Sequence, residues 1–240
     1  MDEKFCVIVQ NSVSLLVYRP WWSRGVVHGM TLRPLSFCSE SQESSVQQLL
    51  MAFSVKQMFI PRQSHSSELI DVRGETPASF GTLMDSRQAD AIVAQRREPC
   101  SLAFGITTAD CVPLIVRSGS YFALIHAGWR GLANGIIDKV LDSMPTPDEV
   151  VIFPAAGSGM YEVGAEVVEA IGKSAVCRQQ RSGGAQYWLD TASTAAGQVR
   201  SVCPTASISQ ARICTIEDMR FHSFRRDGLE AGRNLTFLNL

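Results

Sequence analysis

Thr107 to Gly131 reads TTADCVPLIVRSGSYFALIHAGWRG, two apolar runs joined by Ser118, Gly119 and Ser120. Branched and aromatic residues dominate both runs, and the small triplet supplies a tight connection, so the stretch predicts a β-hairpin. A two-residue turn that pairs Arg117 with Ser120 sets Cys111 directly opposite His126, with their Cβ atoms about 4.5 to 5.5 Å apart. A three-residue loop shifts the register by one and leaves the two as near neighbours. Facing each other, a thiolate and an imidazole can converge on one metal ion, with Zn to S about 2.3 Å and Zn to N about 2.0 Å. The same pair suits a thiol and its general base. It equally suits a buried cysteine opposite a histidine bonded to a backbone carbonyl.

Working outward, Asp110 precedes the cysteine, and Ala127 to Gly131 follows the histidine as AGWRG. A glycine-flanked turn at a helix start leaves amides open to an anion, and Arg130 adds a cationic fork there. An ordinary strand-to-helix turn has the same sequence.

The 240 residues carry 22 Lys and Arg against 23 Asp and Glu, a formal charge of −1. No field that would collect nucleic acid or an acidic membrane is implied, so a small-molecule partner is expected. Hydrophobic content of 45% and charged content of 19% fit an ordinary globular chain. The amino terminus, MDEKFCVIVQ, lacks the basic region of a signal peptide. No apolar run approaches the roughly 18 residues a membrane helix needs, so the expected location is cytoplasmic. Seven cysteines without a CxxC pair point to reduced thiols.

Short β-type runs occupy 5–9 and 13–18, with a turn-rich segment from Pro20 to Pro34. Val46, Leu49, Leu50 and Phe53 share a helical face. ELIDV within the polar segment Ser64 to Ser86, and DAIVA at 90–94, are strand candidates. Apolar stripes predict helices over Ala133–Met144 and Tyr161–Lys173, and Asp190 is a candidate N-cap for a helix over Thr191–Val202. Strand, helix and hairpin signals mix without strict alternation. They predict an α+β fold, one domain over 1–240, in which mixed and antiparallel sheets are layered with helices.

TADCVPLIV with ALIHAGWRG resembles the signature of the bacterial laccase-domain proteins, also called multicopper polyphenol oxidases and now regarded as purine nucleoside phosphorylases. RQSHSSEL (62–69), ADAIV (89–93), MYEVGAEV (160–167), YWLD (187–190), CTIED (214–218) and RFHSFRRDG (220–228) match in the expected order. The resemblance implies a fold like that of the cysteine hydrolases and a zinc ion held by His65, Cys111 and His126. It also implies phosphorolysis of adenosine, inosine, guanosine and methylthioadenosine, and deamination of adenosine. Three protein ligands leave a fourth position open, as in catalytic zinc sites. Asp110 is then a candidate proton carrier, and Arg130, Arg225 and Arg226 are candidates for holding phosphate. Copper-dependent oxidation suits the site less well, because one sulfur and two imidazoles serve a single metal.

The chain departs from the family pattern at TLRPLSFCSES (31–41), at FPAAGSGM (153–160), which lacks the family's paired cysteines, and at RDGLEAGR (226–233), which has one extra residue. Two other readings stand beside this one, and the altered segments leave room for the second. One is a cysteine hydrolase with Cys111 as nucleophile and His126 as base. The other is a protein of peptidoglycan editing that binds a nucleotide or wall precursor without turnover. His28 and His222 have no partner that the sequence identifies.

Overall fold

Consecutive apolar positions, instead of alternating ones, mark strands buried on both faces, and the computed structural model is built on two such sheets. It describes residues 2–75, 87–96, 102–180 and 186–240. Val112–Ser118 and Tyr121–Ala127 lie mid-sheet, in the order Ser207–Gln210, Glu149–Ile152, Val112–Ser118, Tyr121–Ala127, Ala91–Gln95, Leu69–Asp71. The second sheet runs Phe5–Gln10, Val13–Tyr18, His28–Thr31, Asn234–Asn239, Leu102–Thr108, Gln57–Phe59. A small sheet joins Glu162–Val163, Gln186–Leu189 and Cys177–Gln180. Most strand pairs are antiparallel. The parallel ones are at sheet edges, pairing Ser207–Gln210, Leu69–Asp71 and Gln57–Phe59 with their neighbours.

Side-chain alternation sorts these sheets into four layers. Leu114, Val116, Ala123 and Ile125 pack outward beneath the helices Ile136–Asp142, Ala165–Ile171 and Thr191–Val202. Ile115, Phe122 and Leu124 point inward to meet Leu16, Met30, Phe104 and Ile106 of the other sheet. That sheet's opposite face, with Leu15, Val17 and Phe237, is covered by the helix Gln42–Phe53 through Val46 and Leu49. The mixed α+β expectation holds. Among the described residues no helix is long and apolar enough to cross a membrane.

The strands expected at 5–9 and 13–18 are Phe5–Gln10 and Val13–Tyr18. ELIDV yields Leu69–Asp71, and part of the polar segment around it, 76–86, lies outside the described residues. The turn-rich segment also holds a short helix, Arg19–Trp22, and the strand His28–Thr31. The helix expected over 133–144 is Ile136–Asp142, starting later because Gly135 takes a left-handed φ of 71° and separates it from the short helix Trp129–Ala133. Tyr161–Lys173 begins as the strand Glu162–Val163 before the helix Ala165–Ile171. Asp190 caps its helix as expected, its Oδ1 accepting from the Ser193 amide at 2.7 Å.

The hairpin register requires a correction. Gly119 and Ser120 form the turn, Ser118 pairs with Tyr121, and His126 therefore stands opposite Pro113 instead of Cys111.

Candidate metal centre

Two chain segments cross from one large sheet to the other at the same end of the molecule. One leads from Gln57–Phe59 to Leu69–Asp71 and carries His65, and the other leads from Leu102–Thr108 to Val112–Ser118 and carries Cys111. His126 follows Phe122 and Leu124 on the inward face of its strand, one residue from the strand's end. The ligand atoms of His65, Cys111 and His126 lie within 4.8 Å of one another. The three predicted ligands therefore converge although the predicted pairing does not exist.

Local backbone makes this possible. His65 has φ 59° and Asp110 has φ 92°, left-handed conformations that cost L-residues about 1 to 2 kcal/mol and turn each crossing sharply. Gly128, just past the hairpin, presents no side chain to Cys111 and His65. The cross-strand partner of His126 is Asp90, one step beyond the pair Ala91 and Ile125. The Asp90 carbonyl accepts from the His126 amide at 2.7 Å, and Asp90 Oδ1 accepts from His126 Nδ1 at 2.7 Å. His126 Nε2 is thereby left to face the cluster.

The charges follow from this packing. Burial pushes the Asp90 carboxyl up, but hydrogen bonds from His126 and Ser66 outweigh it and hold Asp90 well below the usual carboxylate range. Burial likewise acts to raise the Cys111 thiol, yet the charge of His126 and bonds from both histidines bring it down to about 6. For His126, burial acts downward, and the Cys111 thiolate together with Asp90 pushes it up to about 9. The donor set is one soft sulfur poised as thiolate and two imidazoles, which suits a tetrahedral metal with one position left for a substrate or water. A metal there would displace the Nε2 proton of His126 and leave the Nδ1 proton on the ring, donated to Asp90.

His65, Cys111 and His126 line a cavity of about 500 Å³. Asp110, Arg130 and Arg225 line it too, as do Trp129, Tyr161, Phe224 and Arg233, whose part in the site was not foreseen. Arg130 stacks on Trp129 at 4.3 Å, and Arg225 on Tyr161 at 4.6 Å while donating to Glu162 O at 2.7 Å. Arg233 donates to Ala231 O at 2.8 Å. Among the described residues none of these three guanidiniums is ion-paired with a carboxylate. Arg226 is not among the cavity's lining residues. Its guanidinium donates to Asp227 Oδ1, Thr215 O and Phe221 O, anchoring the short helix Phe224–Asp227 that carries Arg225 to the preceding segment.

Asp110 is buried with both oxygens engaged. Oδ1 accepts from Thr215 Oγ1 at 2.7 Å and Oδ2 from the Arg225 amide at 2.6 Å. The remaining histidines are structural. His28 donates Nδ1–H to Val26 O at 2.8 Å and accepts from the Tyr18 amide, and His222 donates from Nε2 to Leu35 O at 3.0 Å.

Fold and site together define an α+β chain with a His–Cys–His cluster in an arginine-rimmed cavity. It belongs to the multi-copper polyphenol oxidoreductase laccase family, whose model matches residues 39–240. A protein of Xylella fastidiosa named purine nucleoside phosphorylase is 32% identical over 200 residues, covering 79% of this chain and 74% of that protein. One named adenosine deaminase RL5, from an unknown prokaryotic organism, is 32% identical over 202 residues, 75% of this chain and 73% of its own. The crystal structure of the Bacillus licheniformis hypothetical protein YfiH superposes with a TM-score of 0.82 at 21% identity, covering 99% of both chains.

Proposed function

We propose that residues 1–240 form one zinc-dependent enzyme domain acting on purine nucleosides, by phosphorolysis of adenosine, inosine, guanosine and methylthioadenosine and by deamination of adenosine. One observation carries this reading: a single cavity holds a thiol and two imidazoles beside three guanidiniums that form no ion pair with a carboxylate among the described residues. The names of the relatives support it. Zinc is preferred to copper because the cluster offers ligands for one metal, whereas reducing oxygen to water calls for several. When bound by His65, Cys111 and His126, zinc supplies a Lewis acid at its open position.

The chain's own residues do the rest. Arg130, Arg225 and Arg233 hold phosphate, their charge matched to its oxygens. The rings of Trp129, Tyr161 and Phe224 offer apolar faces to the purine. Asp110 fixes the Arg225 amide, and it carries a proton during deamination only by giving up one of its two hydrogen bonds. Arg226 assists from outside the cavity by holding the short helix that carries Arg225.

Chromatographic product analysis tests the proposal. Purified, metal-assayed protein is incubated with adenosine, with and without phosphate, beside Cys111→Ala. Inosine, or adenine with ribose 1-phosphate, is expected and should vanish in the variant. No product from fully metallated protein would sink the nucleoside reading.

A second reading is favoured by the linear order Cys111, His126, Asp90, the arrangement of a thiol nucleophile, its base and an orienting carboxylate. It brings with it the likeness to cysteine hydrolases. Iodoacetamide labelling of Cys111 that a chelator does not enhance is its expected signature.

A further inference from the structure

We infer that Asp90 is the positioning residue on which the metal centre is built, because one buried carboxylate holds two of the three ligands at once. The inference rests on the metal-centre reading. Asp90 is 0% exposed and immediately precedes the strand Ala91–Gln95. Its Oδ1 accepts from His126 Nδ1 at 2.7 Å and from the His65 amide at 3.0 Å. Its Oδ2 accepts from the Ser66 amide and hydroxyl, both at 2.7 Å, and from the Ser64 amide at 3.3 Å. The first contact fixes which ring nitrogen of His126 carries the proton, so that Nε2 is the metal-facing atom. The others hold the loop in which His65 keeps its left-handed backbone. His65 is exposed and its side chain makes no hydrogen bond to a carboxylate among the described residues, so its placement depends on this backbone clamp.

Asparagine is the informative replacement. Each oxygen of Asp90 meets at least two donors, so an amide nitrogen on either side opposes donor to donor. On the Oδ1 side it disfavours the Nδ1–H form of His126, and on the Oδ2 side it repels the Ser66 amide and loosens the His65 loop. Outer carboxylates of metal-bound histidines typically govern about 10- to 100-fold in metal affinity.

The experiment is a chelator competition for zinc on Asp90→Asn, His126→Ala and wild type, with circular dichroism as the folding control. Asp90→Asn should stay folded and bind zinc about 10- to 100-fold more weakly. Wild-type affinity in folded Asp90→Asn, with binding lost in His126→Ala, overturns the positioning role and leaves the metal centre standing. Unchanged affinity in both variants overturns the metal centre itself. Should Asp90→Asn not fold, the zinc-loaded wild type still decides through its ¹⁵N histidine shifts. His126 is expected to carry its proton on Nδ1 and the metal on Nε2, and the reverse assignment overturns the inference.

Discussion

Gly128 shows how little room the ligands have. A Cβ there would lie 3.0 Å from Cys111 Sγ and 3.0 Å from His65 Cδ2, tighter than ordinary carbon contacts. Its φ of −70° suits any L-residue, so the penalty of Gly128→Ala falls on the two ligands and not on the backbone. We expect Gly128→Ala to melt close to wild type and to bind zinc at least about tenfold more weakly, since its displaced ligands sit on the metal itself. Gly197→Ala is the control, a mid-helix glycine with nothing within 4 Å of the added carbon. It should stabilise by up to about 1 kcal/mol through helix propensity and leave affinity alone. Wild-type affinity in Gly128→Ala would mean that metal-bound ligands do not keep this arrangement.

Residues differed in how far the sequence disclosed them. Cys111 and His126 are legible because they interrupt the ends of apolar runs. His65 is an exposed loop histidine with no periodicity around it, so only the family resemblance located it. Asp90 stood in the sequence only as the first residue of the strand candidate DAIVA, because its partner is set by strand order, which local sequence does not encode. Arg225 and Arg226 read alike in sequence. A short helix turn sends one guanidinium into the cavity and its neighbour into anchoring the helix.

At the scale of elements, the hairpin was legible and its register was not. Serine, glycine and serine allow turns centred at either of two positions, and the difference moves every cross-strand pair. The structure resolves this with Gly119 at φ 58° in the first turn position. A carbon added there meets nothing within 4 Å, so any cost of substitution is conformational. Gly119→Ala should destabilise by about 1 kcal/mol and Gly119→Asn by less, because asparagine tolerates the left-handed region. Urea unfolding curves with equal slopes and shifted midpoints are the check. An unshifted Gly119→Ala would argue against this turn. The apolar stripe from Ile136 lies on a helix as read, and only its start was set too early, at Ala133, because the backbone turns at Gly135.

At the scale of the whole molecule, the inter-sheet core sets the response to acid. His28 is fully buried against Trp21 and Phe153, and burial lowers it to about 4 despite its bond to Val26 O. The unfolded chain takes up this proton near pH 6.5 while the native state refuses it until about pH 4. Its contribution to stability is therefore full above pH 6.5 and falls by roughly 3 kcal/mol as pH drops to about 4. Below that, both states are protonated and the loss stops. In NMR titration the His28 ring signals should not move between pH 8 and 5, and a midpoint near 6.5 would refute the buried neutral assignment.

The same scale governs what metal does to the fold. His65 and Cys111 sit on separate crossings between the two large sheets, and His126 sits on the hairpin between them, so an ion bound by all three would tie together segments that only the folded chain assembles. Binding to the native state alone stabilises by RT ln(1 + [L]/Kd), about 2.7 kcal/mol at a hundredfold excess over Kd. For a chain of this size that is a rise in Tm of roughly 5 to 10 °C. Scanning calorimetry over a zinc series should show this rise in wild type, its reversal by chelator, and a flat response in Cys111→Ala. A wild-type Tm indifferent to zinc would show that the three segments do not share an ion. A rise that persists without Cys111 would move the binding elsewhere on the molecule.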